Sequence, residues 1–224
     1  MGAAGTYNWV AAYNGDANNH PVSSPCGTEK VVVTSQTLTG RAFGLSARAT
    51  LDAPHVDVNV PPTPDTGFIS TTSSSSTTTP CVATLSGPVT AHVLCANVTT
   101  VDFPAKSTAS ASVADATISI PTLPTITLQL VKSTSTTTCA GSTGTTTIAY
   151  LKVGNTVVAT ANVAPNSHVT VDGVNLVLNE QISIGGPDRG LTVNAIHLTV
   201  NVPGLAQTDI IVASSESDIG NCPK

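Results

Sequence analysis

Three observations predict an all-β fold, an antiparallel β-sandwich of jelly-roll type with minimal helix. Short runs of Thr, Val and Ile alternate with polar residues along most of the 224-residue chain, the pattern of strands that bury one face. Gly-Asn and Asp-Gly pairs sit between such runs, where two-residue hairpin turns call for positive φ. No segment repeats its apolar residues at a period of 3.6, as a helix with one buried face would. The spacing of the turn signals corresponds to roughly eight to twelve strands.

Residues 1–29 read as an N-terminal arm and linker, and residues 30–224 as the β-sandwich domain. The arm holds Tyr7, Trp9 and Tyr13, three of the seven aromatic residues in the chain. Residues 18–27, rich in Asn, Ser and Pro, read as irregular linker. An aromatic tip on a flexible stalk can dock into a neighbouring subunit by adding a strand; packing on its own domain and disorder are the alternatives.

Val31, Val32 and Val33 open the β pattern. Phe43, Leu45, Ala47, Ala49 and Leu51 alternate with small or polar residues, so one face is buried. Val56, Val58 and Val60 alternate with His55, Asp57 and Asn59, and Pro61, Pro62 and Pro64 are expected to stop that strand. Residues 71–79 are nine consecutive Ser or Thr, compatible with a loop or an exposed strand. Residues 145–153 and 156–163 flank Gly154-Asn155. Val169 and Val171 lead into Asp172-Gly173, and Val174, Leu176 and Leu178 follow, a strong hairpin signal. Within 191–202 the apolar parity changes: Leu191, Val193 and Ala195 lie on one parity, Ile196, Leu198, Val200 and Val202 on the other. A β-bulge near Ala195 would reconcile them. Ile210, Ile211 and Val212 form a last buried strand.

Composition narrows the function. About a quarter of the residues are Ser or Thr, 9% are charged and 3% aromatic, a balance that suits an extracellular β-protein with surface or structural work. The net charge is −5. The eight basic residues (Lys30, Arg41, Arg48, Lys106, Lys132, Lys152, Arg189 and Lys224) are scattered. They form no basic patch, which argues against nucleic acid as a partner. Low charge and positive mean hydropathy ease self-association, because little repulsion opposes it. No apolar run approaches the ~18 residues of a membrane span. The first residues lack the basic and apolar regions of a signal peptide, so export through a removed leader or by cell lysis is expected. The expected location is extracellular, at a cell or spore surface.

The motifs Cys139-Ala140-Gly141-Ser142, Val177-Leu178-Asn179-Glu180-Gln181, the run 191–198 (LTVNAIHL) and the run 209–218 (DIIVASSESD) resemble the choice-of-anchor P family of bacterial surface proteins. Ala42-Phe43-Gly44-Leu45-Ser46 extends the resemblance to roughly residues 40–222. It implies a secreted or surface-displayed bacterial protein and carries no activity with it.

The five cysteines are Cys26, Cys81, Cys95, Cys139 and Cys222. None forms a CxxC pair, which argues against zinc of the usual spacing. Two intrachain bridges would leave one thiol, bonded to another chain or buried and free. Cys95 and Cys139, at edges of β segments in the region of resemblance, suit an intradomain bridge, with Cys81 as a competitor. Cys26 and Cys222, near the two ends, suit bridges between subunits or a bond joining the ends of one chain.

No catalytic, cofactor-binding or metal-binding set is expected. GxSxG, HExxH, Walker A and EF-hand patterns are absent. Glu180 reads as a residue capping a turn or pairing with backbone, since hydrolysis usually needs two carboxylates. His197 reads as a hydrogen-bonded structural residue. His55, Asp57 and Asn59 share one strand face, but supply too few oxygens for calcium. Residues 185–190 (GGPDRG) read as a hairpin loop, because no helix follows to hold a phosphate.

The functional expectation is a non-catalytic extracellular structural protein, a subunit of a self-assembling bacterial surface fibre or layer. Its partner is then itself, in a homopolymer joined through sheet edges, the arm and disulfides. The alternative is an adhesin, a β-sandwich module whose loops bind a carbohydrate or protein ligand on a cell or host surface. The scarcity of aromatic residues outside the arm argues against a glycan site.

Overall fold

The computed structural model describes residues 5–52, 55–160, 163–185, 189–202 and 206–222. The chain divides into two compact units, Met1–Gln36 and Thr37–Lys224. The division falls seven residues beyond the expected arm boundary at 29, because Val31, Val32 and Val33 pair within the arm rather than opening the sandwich.

In the first unit, β1 (Gly5–Trp9) and β4 (Glu29–Val33) are antiparallel, with Gly5 opposite Val33 and Trp9 opposite Glu29. Between them β2 (Ala12–Tyr13) pairs with β3 (Val22–Ser23). The stretch read as irregular linker thus contributes a short strand. Asp16 shapes the β2–β3 loop: its Oδ1 accepts from the backbone N–H groups of Asn18 (2.8 Å) and Asn19 (2.9 Å), an Asx-type turn.

The second unit is the all-β antiparallel sandwich, and no described residue of the chain is helical. One sheet contains β8 (Ser75–Thr78), β9 (Val82–Leu85), β10 (Val89–Asp102), β11 (Ala105–Ile118), β12 (Ile126–Thr138), β13 (Gly141–Val153) and β14 (Thr156–Ala159). The other contains β5 (Thr37–Asp52), β6 (His55–Asp65), β7 (Ile69–Thr71), β15 (Ser167–Val171), β16 (Val174–Ile184), β17 (Arg189–Val202) and β18 (Ala206–Gly220). A jelly roll passes back and forth between its sheets; here β8 to β14 stay in one sheet and β15 to β18 in the other. β18 then closes beside β5. Tight turns keep consecutive strands adjacent. Gly154 has φ 56° between β13 and β14, and Asp172 and Gly173 have φ 49° and 79° between β15 and β16.

Two expectations about individual strands change, and one alternative is resolved. The prolines do not stop β6, which continues through Pro61, Pro62 and Pro64 to Asp65; it is an edge strand, where a missing N–H removes no ladder bond. The Ser/Thr run at 71–79 is both loop and strand, since β8 pairs with residues 97–100 of β10.

The parity change near Ala195 is not a bulge. Leu178 faces Ile196, and Glu180 faces Asn194, on β16; Ile196 faces Val212, and Asn194 faces Ser214, on β18. The register is therefore equal on both sides of Ala195, because the neighbouring strands switch with it. Asn179 and Ala213 take positive φ of 51° each. The facing sheet switches in the same way at Val93 (φ 48°) and Leu130 (φ 47°). On β10 to β13 the buried pairs Ala91 and Leu94, Val113 and Ala116, Leu128 and Val131, and Ile148 and Leu151 are each three residues apart.

The switch divides the core. On one side Ile118, Ile126, Leu128, Leu151, Leu176, Leu198 and Ile210 are buried. On the other, the inward residues include Ser107, Ser133, Ser135, Thr137, Ser215 and Ser217. Small side chains let the sheets approach closely there: a Cβ on Gly40 would stand 2.8 Å from Val98 Cγ1. Hydroxyls cross the interface, Ser107 Oγ donating to Thr39 O at 2.6 Å and Thr137 Oγ1 meeting Ser217 Oγ at 2.8 Å.

Candidate functional site

The arm displays its aromatic residues. Tyr7 is 39% exposed, Trp9 62% and Tyr13 44%. Tyr7 and Trp9 share a face of β1 by the two-residue period. Tyr13 donates its hydroxyl to Asp16 Oδ2. That bond, with the backbone N–H of Asn18 and the Asn19 side chain, lowers the Asp16 pKa to about 2. No described residue of the arm unit is buried. Even so, it contributes Tyr7, Trp9, Val10, Tyr13, Val22, Val31 and Val32, seven of the thirteen large apolar residues that are exposed among those described.

The cysteines pair differently from the expectation. Cys81 is bonded to Cys95, and Cys139 to Cys222, leaving Cys26 free and exposed in the arm. The expected bridge between Cys95 and Cys139 does not form, because register decides the pairing. Val82 of β9 faces Leu94 of β10, which sets Cys81 against Cys95 at a Cα separation of 4.4 Å. Cys139 lies in the β12–β13 turn and Cys222 just past β18. Cys222 is thus bonded within its chain, and Cys26 is the one thiol left for a bond between chains.

Glu180 and His197 come together. Glu180 Oε2 accepts from Asn194 Nδ2 at 2.7 Å and meets His197 Nδ1 at 2.9 Å; His197 Nε2 meets Asp209 Oδ1 at 3.1 Å. Ser214 Oγ donates to Asn194 Oδ1 at 2.7 Å. Glu180 therefore pairs with side chains, not with a turn or backbone group. The chain of contacts ties β16, β17 and β18 together, and both imidazole nitrogens are engaged, so none is left for a ligand. Asp209 escaped the sequence reading because nothing in its neighbourhood links it to His197 before β17 and β18 pair. Among the described residues no three His, Cys, Asp or Glu side chains converge as a metal site. His55, Asp57 and Asn59 lie exposed on β6, an edge strand. Of the Gly-rich loop, residues 186–188 lie outside the described residues.

A second cluster was not anticipated. Arg41 Nε donates to Asp65 Oδ1 at 3.0 Å, and Nη2 to Oδ2 at 2.7 Å. The guanidinium also lies 4.8 Å from the Phe68 ring centre and 5.5 Å from that of Phe43, within cation–π range. Burial raises the Asp65 pKa, but the Arg41 hydrogen bond, the Gly67 N–H and the Arg41 charge outweigh it, and the net shift is downward. Phe68 is 68% exposed. The spacing of Arg41 and Phe43, two apart on a strand, was the available signal.

Sheet edges complete the surface. β14 pairs with β13 only over Leu151, Lys152 and Val153. Residues 142–149 of β13 pair with β12 on one side and have no strand on the other among the described residues. At the Ser142 end of this edge lies a groove of about 570 Å³, lined by Ser142, Pro165, Gln181, Ile184, Arg189 and Leu191 among others.

No protein-family model matches the chain, and no curated protein or solved structure matches it significantly.

Proposed function

We propose that the chain is a non-catalytic extracellular structural protein, a subunit of a self-assembling bacterial surface fibre or layer related to the choice-of-anchor P proteins. The observation that carries this reading is the arm, a separate unit with no buried side chain among its described residues, which holds over half of the exposed large apolar residues described. Clustered apolar exposure marks an interaction surface. An arm that grips a different surface on the next copy makes a heterologous contact, and such contacts build filaments unless the rotation closes a ring. Sparse charge supports the same reading, since subunits repel one another little. The two disulfides are compatible with an oxidising, extracellular setting. No helix among the described residues is long and apolar enough to cross a membrane.

Negative-stain electron microscopy of the full chain, and of the chain without residues 1–36, tests the proposal. Uniform fibres or sheets from the full chain, and dispersed particles from the shortened one, are expected. Dispersed particles from both would overturn it. A second reading, a glycan-binding adhesin, draws on Phe68, an exposed ring beside Arg41 and Asp65. Glycan-array binding by the shortened chain that Phe68→Ala abolishes would favour it.

A further inference from the structure

We propose that the outer edge of β13, residues 142–149, receives β1 of the arm of a second copy of this chain. The inference rests on the polymer reading and names the surface it requires. An open strand edge is a template for another strand, and proteins guard such edges with charge, proline, short length or cover. The other edges of the sandwich are guarded among the described residues. β8 and β9 cover β10 and are only four residues long each. β6 carries Pro61, Pro62, Pro64, Asp57 and Asp65. β14 and β15 are only four and five residues long. Beyond β15, the Asn166 side chain caps β16 by accepting from the Gln181 N–H at 2.7 Å. Residues 142–149 (STGTTTIA) hold no charge and no proline; the Gln181 side chain touches this stretch at one point, where Gly144 O accepts from its Nε2 at 3.3 Å, and an incoming strand would displace it.

The arm supplies the matching strand. β1, GTYNW, is also free of charge and proline, and among the described residues β4 alone pairs with it, along one edge. Added to β13, it would carry Tyr7 and Trp9 on one face, over the groove beside Ile184 and Leu191. Two aromatic side chains bring about 300–500 Å², a large part of the ~800 Å² per partner of a stable interface. Charge agrees: Asp16, Glu29 and Lys30 give the arm a net −1, and Arg189 is the one charged residue among the described groove-lining residues. β-strand addition draws affinity from main-chain hydrogen bonds and selectivity from such pockets.

The test is disulfide trapping between two full-length variants in a Cys26→Ser background, one with Asn8→Cys and the other with Thr145→Cys. Both positions are exposed. Mixed and mildly oxidised, they should give a crosslinked species of twice the monomer mass. A Thr145→Lys/Thr147→Lys variant should leave the melting curve unchanged and abolish assembly. Fibres that form without this crosslink, or that persist in the double-lysine variant, overturn the edge assignment while self-assembly stands. A crosslink found only when both cysteines share one chain overturns it in favour of an internal contact. A full chain that stays monomeric at every concentration removes the polymer reading as well.

Discussion

Cys139, in the turn between β12 and β13, is bonded to Cys222 beyond β18, across 83 residues of chain. The bond links a turn of one sheet to the last strand of the other. Cys81 and Cys95, 14 residues apart, link β10 to the segment that opens β9.

The two bridges should differ in their contribution. Loop-closure entropy assigns about 4.5 kcal/mol to the longer loop and about 3 kcal/mol to the shorter. For a domain of this size that is a fall in Tm of roughly 9–18 °C for Cys139→Ala/Cys222→Ala, against roughly 6–12 °C for Cys81→Ala/Cys95→Ala. Calorimetry of the two double variants checks the order; equal losses would show that chain entropy does not govern them.

Close approach of the sheets makes certain glycines costly to replace. A Cβ on Gly44 would stand 2.8 Å from Thr63 O and 2.9 Å from Leu94 Cβ, and one on Gly40 would meet Val98 Cγ1 and the Glu216 carbonyl. Gly40→Ala and Gly44→Ala should each destabilise by about 1–3 kcal/mol. Gly185→Ala, with nothing within 4 Å of its Cβ, should stay within about 0.5 kcal/mol of the parent. Urea denaturation separates the two outcomes.

Asp65 should make the sandwich acid-sensitive. Its pKa is lowered in the folded chain, so the stability it contributes is complete above the unfolded carboxylate value of about 3.9. That stability is lost as pH falls through the depressed folded value. Both partners are about a quarter exposed, 27% and 26%, which reduces the energy through solvent screening. Asp65→Asn should cost about 1 kcal/mol at neutral pH, and the gap to the parent should close towards pH 2. A gap independent of pH from 7 to 2 would count against the ion pair.

Cys26 should be the one thiol that reacts in the native, unreduced protein. Ellman's reagent should report one thiol per dispersed chain before and after denaturation without reductant. In a fibre linked through Cys26 the count should fall to zero and return on reduction; two or more thiols in the dispersed chain would contradict both bridges.

Much of the fold was legible along the chain. The Gly154-Asn155 and Asp172-Gly173 turns announce their hairpins, because positive φ is a local demand that residue type reveals. The alternation from Phe43 to Leu51 marks a buried face for the same reason. The arm was visible as a cluster of Tyr7, Trp9 and Tyr13 in a chain with few other aromatics. The shared parity switch was only half legible. Leu191 to Val200 show the change, but that Asn179 and Ala213 compensate for it depends on which strands lie beside β17.

The sequence by itself determined that this is a strand-rich, sparsely charged, tightly turned β-protein with an aromatic arm, because alternation, turn residues and composition act over a few residues. Tertiary structure decided which cysteines meet, that His197 bridges Glu180 and Asp209, and that Ser133, Ser135 and Thr137 lie in the core rather than at the surface. It also decided which edge of the sandwich has no neighbouring strand among the described residues. Each of these depends on register between strands distant in the chain, and Ser and Thr are small enough for a thin core as well as polar enough for water.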